Sequence, residues 1–191
     1  RKTNRHVIER AAELSYTDSC FPIKLVHGHA EDVQEQEVDY IIFPSFLRLG
    51  VKEGDENQKY ACPLVQASPF IIREALKLHD KLLIPFVDFS MGDKEVIDEF
   101  TRVARQMGFN RWRGKRAAKA GLAAQREFER IREERGKEIL KQIQENNQIG
   151  VAILSRHYMS QDSGANLGIA EQLAQLGVVP IPLDFLPLST V

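Results

Sequence analysis

The chain has 191 residues, of which 43% are hydrophobic and 28% charged, and its formal net charge is −1. This length and apolar content allow a sizeable core, in one large or two small domains. The near-neutral charge argues against general nucleic-acid binding. No apolar run approaches the length of a membrane span and no signal peptide opens the sequence, so we expect a cytoplasmic protein without membrane contacts. Two cysteines without framework spacing suit a reducing compartment.

Short apolar runs alternate with amphipathic stretches along the chain. Runs at 38–43, 82–87, 150–154 and 178–183 end at Pro, Asp or Ser, as buried parallel strands do. The apolar period predicts helices over 21–36, 68–79, 93–107 and 166–176. We expect Ser68 and Asp93 to cap the second and third of these helices, and Gly177 to close the fourth.

This alternation, without hairpin signals, predicts an α/β fold with parallel sheets. We expect two Rossmann-like or flavodoxin-like lobes, with the first over 1–110 and part of the second over 149–191. A charged helical linker over 111–148, broken near Gly121 or Gly136, would join them. Because the sequence begins with Arg1 rather than Met, we expect it to be a fragment of a longer protein.

The start of the charged region is entirely basic. Its cations, which have no acidic residue among them, are Arg111, Arg113, Lys115, Arg116, Lys119 and Arg126. One interpretation is a solvated helix face with a packing stripe beneath it. The other is a surface that binds the phosphates of CoA or an acidic surface of a partner protein. The sequence does not distinguish the two.

Each of the two cysteines immediately precedes a proline-containing helix start. Cys20 opens the segment Cys20-Phe21-Pro22, and Cys62 directly precedes Pro63. A cysteine at a helix N-terminus lies at the positive end of the helix dipole, which favours the thiolate that binds metals or attacks electrophiles. Proline is tolerated in the first turn because its missing N–H would be unpaired anyway. The alternative is that both are small buried residues without chemistry.

Further candidate ligands follow Cys20 on the same predicted helix. Lys24 lies one turn after Cys20, where its charge would favour the thiolate or offset the negative charge of a cluster. His27 and His29 lie about 200° apart around the helix, so they cannot both face one site. A zinc site made of Cys20, Cys62 and these histidines has suitable residue types, but its spacing matches no standard zinc pattern.

Three segments resemble one known family. They are Cys20-Phe21-Pro22-Ile23-Lys24 followed by His27-Gly28-His29, Tyr60-Ala61-Cys62-Pro63-Leu64-Val65-Gln66, and Leu154-Ser155-Arg156-His157-Tyr158 followed by Asp162 and Asn166-Leu167-Gly168. Together they resemble, in the same order, the motifs of proteins related to 2-hydroxyacyl-CoA dehydratases and their CoA-substrate-specific enzyme activases. The resemblance covers roughly residues 15 to 188. In the third segment, Ser155 and His157 replace the Gly and Pro of the family's Gly-Arg-Pro-Tyr loop.

The resemblance implies an iron–sulfur protein in which Cys20 and Cys62 hold a cluster of the 4Fe–4S type for low-potential electron transfer. Many relatives have a further cysteine where this chain has Ser45. A cubane needs four ligands, so a second subunit, another segment or a non-cysteine ligand would complete it. The resemblance also implies an ATP-binding activase module in the longer chain, and a homodimer is a possible assembly.

Arg156 and Tyr158 are further candidates for cofactor or ligand binding. Ligands of open parallel sheets bind beyond the carboxyl ends of the strands, where we expect Ser45, Cys62, Asp88 and the loop 156–162 to converge with Cys20. Arg156 would bind an anionic group, or it would simply pair with Asp162. Two functions remain open at this point: a cluster-bearing component of a dehydratase-like enzyme, and a non-catalytic α/β module that binds a ligand or regulates assembly without a metal.

Overall fold

The computed structural model describes residues 2–14, 18–49 and 60–187. The chain divides into two compact units, Glu9–Ala124, and Arg1–Ile8 together with Gln125–Val191. We refer to the first as the cysteine unit and to the second as the C-terminal unit. Two helices, α1 (Arg5–Leu14) and α5 (Arg111–Glu145), contribute residues to both.

The described part of the cysteine unit contains three further α-helices and four short strands. The helices are α2 (Phe21–Gln34), α3 (Pro63–Ala75) and α4 (Asp93–Gln106). The strands are β1 (Ile41–Ile42), β2 (Ser45–Arg48), β3 (Leu82–Leu83) and β4 (Phe86–Asp88). Strand β1 pairs with β3 and β2 pairs with β4, both in parallel. The predicted parallel pairing of the runs at 38–43 and 82–87 is therefore confirmed.

These two strand pairs lie end to end, separated by one proline on each side, and main-chain hydrogen bonds connect them into one ladder. Pro44 separates β1 from β2, and Pro85 separates β3 from β4. The ladder nevertheless continues through the gap, because the Phe43 N–H donates to Leu83 O at 3.0 Å and the Ser45 N–H donates to Pro85 O at 2.9 Å. Pro44 has no N–H to donate, and its nitrogen points out of the ladder because it lies between Phe43 and Ser45, whose N–H groups point inward. Pro85 faces inward, since its carbonyl accepts the Ser45 N–H, and it adds no N–H bond of its own. Ser45 therefore lies within the ladder.

Two side chains of α4 bind the outward-facing main-chain groups of the segment that contains β3 and β4. The Phe86 N–H donates to Glu99 Oε1 at 2.8 Å, and Arg102 Nη2 donates to Ile84 O at 3.4 Å. Glu99 and Arg102 are also paired with each other at 2.6 Å. Unpaired main-chain groups at a sheet edge attract further strands. This ion pair satisfies two of them and fixes α4 against the strand.

The core of the cysteine unit is built where the ladder meets α2 and α3. Ile72, Leu78 and Leu82 form its buried centre. Val26 and Ala30 of α2 pack against this cluster together with strand residues, including Ile41 and Phe43. Helices α2 and α3 also contact each other. The two helices that follow the cysteines therefore share one hydrophobic core.

Several predicted helix limits are wrong. Helix α3 begins at Pro63 and ends at Ala75, so Ser68 lies inside it rather than at its start. Asp93 is the first residue of α4, whose N-cap is Gly92 at φ +96°. Gly177, at φ +79°, does follow the last turn of its helix as expected. The pair Ser68-Pro69 is typical of a helix start, because Ser is a common N-cap and Pro a common first-turn residue. In α3 this proline lies inside the helix instead.

Helix α5 is continuous over 35 residues and is not broken at Gly121 or Gly136. At Gly136 an added Cβ atom would overlap the Phe185 carbonyl oxygen. This glycine is therefore required for close approach of the C-terminal segment, and not for a bend. No helix in the described ranges, α5 included, has the length and apolar character needed to cross a membrane.

The C-terminal unit contains a second parallel pair. Strand β5 (Gly150–Ile153) pairs with β6 (Val179–Pro182), which confirms the predicted pairing of the other two runs. The short helices α6 (His157–Ser160) and α7 (Ile169–Gln175) lie between them in sequence. Because the Val179 N–H points at Ile149 O, 2.8 Å away, Pro180 and Pro182 take the alternate positions whose N–H groups would point outward.

The described residues thus form a mixed α/β structure with seven α-helices and short parallel strand pairs. The two-lobe Rossmann-like arrangement and the three predicted domain ranges stay predictions. What the fold establishes for function is the location of both cysteines in one unit, at the starts of two helices that share a core.

Candidate cysteine site

Cys20 is the N-cap of α2. Its backbone is extended (φ −63°, ψ 151°), and its carbonyl oxygen accepts the Ile23 N–H at 3.0 Å and the Lys24 N–H at 3.1 Å. Pro22 lies in the first turn, as the sequence predicts. The side chain is exposed, is not in a disulfide and makes no capping hydrogen bond within the described chain. The backbone therefore closes the first turn and leaves the thiol available.

Cys62 occupies the equivalent position on α3. Its carbonyl oxygen accepts the Val65 N–H at 2.8 Å and the Gln66 N–H at 3.0 Å, and its half-buried thiol is also free of a disulfide and of a capping bond in the described structure. Two bonds hold the preceding residue in place: the Ala61 N–H donates to Leu47 O at 3.0 Å, and Gln66 Nε2 donates to Ala61 O at 2.7 Å. The Gln of the Cys-Pro-Leu-Val-Gln segment thus braces the turn that carries the cysteine.

Ser45 is not placed as a ligand. Proline inside a helix deprives the carbonyl four residues earlier of its donor and disturbs the neighbouring bond. Here the Ser68 hydroxyl donates to Val65 O, four residues before Pro69, and the Ser45 hydroxyl donates to the next carbonyl, Gln66 O, each at 2.8 Å. Ser45 is only 4% exposed. The expectation that it follows a strand end and opens toward a ligand is therefore wrong, because the strand continues through it.

The carboxyl ends of β2 and β4 carry an ion pair. Arg48 donates to both carboxylate oxygens of Asp88, at 2.6 to 3.1 Å, and its guanidinium lies 5.4 Å from the ring centroid of Tyr60. Burial works against the charged form of Asp88, but hydrogen bonds from Arg48 and Ser90 outweigh it and lower the pKa of this carboxyl. The pair braces the strand ends next to the segment that leads into Cys62.

Sequence reasoning identified Asp88 but missed Arg48. Both residues end a strand, and their side chains meet because β2 and β4 are parallel neighbours. The predicted strand at 38–43 ends before Arg48, so no sequence signal placed this arginine at the end of a strand.

The first turns of α2 place the remaining candidate ligands apart. Lys24 Nζ lies 4.0 Å from Asp18 Oδ1, so part of its charge is already offset before it acts on Cys20. His27 is buried, and its Nδ1 lies 3.0 Å from Ile23 O. Since a carbonyl only accepts, this bond requires the proton on Nδ1. Among the described residues no three His, Cys, Asp or Glu side chains gather as a metal-binding group, so the described chain does not preassemble the zinc site considered from the sequence.

Arg156 and Tyr158 belong to the C-terminal unit. Arg156 is the N-cap of α6 and is exposed, and Tyr158 is 37% exposed. Asp162 does not pair with Arg156 within the described residues. Its carboxylate instead accepts the N–H and hydroxyl of Thr3, at 3.2 and 2.9 Å, and the N–H groups of Gly164 and Ala165. The predicted convergence of this loop with the cysteines stays a prediction.

One family model matches the chain, and its description is "CoA enzyme activase uncharacterised domain". The match covers residues 1–186 and so includes both cysteine segments and the loop of Arg156. The chain belongs to this family. A comparison with curated proteins found no match, and neither did a comparison with solved structures.

Within this CoA enzyme activase domain the two cysteines form the strongest candidate site. Both cysteines are the N-cap residues of their helices, and neither sulfur makes a capping hydrogen bond in the described structure. Both precede a proline that fixes the first turn, and the helices they begin pack against each other. Cysteine thiolates are the usual protein ligands of iron–sulfur clusters. The two cysteines would supply half of the four ligands that a cubane needs.

Proposed function

We propose that this domain is the cluster-bearing part of a dehydratase-like or activase-like iron–sulfur protein, with Cys20 and Cys62 as thiolate ligands. A 4Fe–4S cluster supplies one-electron transfer at low potential, which is the chemistry that a dehydratase acting on a small or CoA-linked substrate requires. The proposal rests on the family membership and on the resemblance of the cysteine segments to the dehydratase group.

The observation that carries the proposal is the matched placement of the two thiols. Each cysteine uses its carbonyl oxygen, and not its sulfur, to close the first turn of its helix. The carbonyl bond is common to all N-cap residues, but a structural N-cap such as Ser, Thr, Asp or Asn also accepts a first-turn N–H with its side chain, and neither cysteine does so. Two helix starts built with unused thiols support a role for sulfur outside the helix.

The chain contains two cysteines, and Ser45 is committed to the Gln66 carbonyl. The remaining two ligands would come from a second copy of the domain, another segment of a longer protein or non-cysteine ligands other than Ser45. Lys24 would offset part of the negative charge of such a site. Arg156 and Tyr158, as the remaining predicted binding residues, would hold an anionic or carbonyl-bearing substrate group.

Anaerobic reconstitution with ferrous iron and sulfide tests the proposal. We expect bound iron and acid-labile sulfide, with a broad visible absorption, in the wild-type chain. Cys20→Ala and Cys62→Ala should each abolish all three signals. Ser45→Ala should retain them, because Ser45 is not a ligand. Iron and sulfide contents that are unchanged in both cysteine variants would contradict the proposal, as would a wild-type chain that stays colourless in its longest available form.

A non-catalytic α/β module without a metal is the second candidate. It is favoured by the position of Ser45, which is built into the fold where a further thiolate would be needed. In that case the wild-type chain would bind no iron or sulfide on reconstitution, and Cys20→Ala and Cys62→Ala would leave thermal stability close to that of the wild type. The same reconstitution therefore separates the two functions.

A further inference from the structure

The first half of α5 exposes a positively charged face whose cations have no ionic partners among the described residues. Trp112, Arg116 and Ala120 follow one another at intervals of four residues and share one side of the helix. Arg113 and Lys119 flank them on either side, and Ala117 extends the surface. We call these six residues the basic face. All six are exposed, and Trp112, the chain's single tryptophan, is 67% exposed.

The second half of the same helix shows how cations are arranged on an ordinary exposed helix surface, where they pair with neighbouring acidic side chains. There Arg130 pairs with Glu127 and Glu134, Arg135 with Glu138, Lys137 with Glu133 and Lys141 with Glu145. In the basic face, Arg113, Arg116 and Lys119 have no ion pair within the described residues. Arg116 instead lies 5.5 Å from the Trp112 ring centroid. An ordinary charged helix surface therefore does not explain the first half.

The side of α5 opposite the basic face is the one that packs into the cysteine unit. Gly114 is buried there, and a Cβ added to it would lie 2.9 Å from the Ala104 Cβ atom of α4. Trp112 is rotated by about 200° from Gly114, so its face points away from α4. The packing of α5 on α4 thus leaves the basic face uncovered and fixes its orientation.

The shape of the basic face favours a protein partner over a nucleotide. The shallow space of about 350 Å³ beside Trp112 is lined by Arg113, Arg116, Ala117 and Ala120 as well, and all five residues belong to one convex helix. A nucleotide site needs concave walls from several elements. A convex helix surface with alanines permits the close approach of another helix instead, and an exposed Trp with flanking Arg is typical of interface hot spots.

We propose that the basic face of α5 docks an acidic amphipathic helix of a partner protein. The partner's apolar side covers Trp112, Ala117 and Ala120, and its Glu or Asp side chains pair with Arg113, Arg116 and Lys119. This interaction does not depend on whether Cys20 and Cys62 bind a cluster. Of the two binding roles that the sequence left open for these cations, the proposal chooses an acidic surface of a partner protein and not the phosphates of CoA.

The test uses a fluorescein-labelled helical peptide of Leu, Ala and Glu, about three heptads long, and the full chain. Binding is followed by the anisotropy of the label and by Trp112 emission, which should shift to shorter wavelength as the indole is covered. We expect Arg113→Glu/Lys119→Glu to weaken binding by at least about tenfold and Trp112→Ala by about fivefold or more. Affinity should fall as salt rises.

The matched control is Lys137→Glu/Lys141→Glu, which makes the same change of charge on the same helix. It should bind the peptide as the wild type does, and circular dichroism verifies that both double variants keep their helix content. Equal binding by both double variants, or an unchanged Trp112 emission, overturns the proposal. So does displacement of the peptide by CoA or by duplex DNA at lower concentration than by unlabelled peptide.

Discussion

The hydroxyl group of Ser45 donates a 2.8 Å hydrogen bond to the main-chain carbonyl of Gln66, a residue of α3. This bond links the start of β2 to the helix that Cys62 begins. It falls next to the carbonyl that Pro69 deprives of its donor, which the hydroxyl of Ser68 satisfies. The pair explains how a proline fits inside α3 without leaving buried acceptors unpaired.

Ser45→Ala should lower the free energy of unfolding by about 0.5–1.5 kcal/mol, because it removes the hydroxyl that donates to the part-buried Gln66 carbonyl. Chemical denaturation of the wild type and the variant measures this difference. Ser163→Ala, at an exposed position, is the control and should change stability by less than about 0.5 kcal/mol. Equal stability of Ser45→Ala and wild type would show that the bond does not support α3.

Cys20 should react with iodoacetamide faster than Cys62, because its side chain is exposed and that of Cys62 is half-buried. Lys24→Ala should slow the reaction of Cys20 by no more than about threefold, since the cation is partly solvated and lies near Asp18. Mass spectrometry of timed samples measures both rates. Lys94→Ala, an exposed position on α4, is the control. Faster labelling of Cys62 would contradict the difference in accessibility.

Asp162 should make the folded chain sensitive to acid. Burial opposes its charged form, but hydrogen bonds from Thr3, Ala165 and Gly164 prevail and lower its pKa. A lowered folded-state pKa means that ionised Asp162 stabilises the fold above the ordinary aspartate value of about 3.9, and that this contribution is lost as pH falls through the lower folded value.

Unfolding measured between about pH 3 and pH 7 tests this dependence with Asp162→Asn. The variant should be less stable than the wild type near neutral pH, and the difference should shrink toward the acid end. Asp39→Asn, at an exposed position, should run parallel to the wild type. A constant difference across the whole range would mean that the charge of Asp162 contributes nothing.

Two glycines of α5 should respond to alanine in opposite directions. No described atom lies within 4 Å of a Cβ built at Gly121, so Gly121→Ala should raise stability by about 0.5–1 kcal/mol through helix propensity. Gly136→Ala would place its Cβ against the Phe185 carbonyl and should cost about 2 kcal/mol or more. Thermal unfolding of both variants measures the contrast. A stabilised Gly136→Ala would show that the C-terminal segment moves away readily.

The sequence by itself determined the local features of this protein. The proline after each cysteine indicated helix starts at Cys20 and Cys62, because proline fits the first turn of a helix. The apolar period, in contrast, put the start of the second of these helices at Ser68. Apolar runs bounded by Pro and Asp indicated parallel strands, since buried parallel strands are apolar on both sides. The motif residues pointed to the CoA enzyme activase family, whose model matches residues 1–186.

Tertiary structure alone decided which distant side chains meet. The contacts of Ser45 with Gln66, Arg48 with Asp88 and the Phe86 N–H with Glu99 join residues 13 to 40 positions apart. Hydrophobic period and turn signals report on neighbours within a few positions of the chain, so none of these contacts could be read from them. The true extent of α3 was hidden because Ser68-Pro69 is also typical of a helix start, whereas in the structure the Ser68 hydroxyl satisfies the Val65 carbonyl inside the helix. Only the folded ladder brings Ser45 to the next carbonyl, Gln66 O.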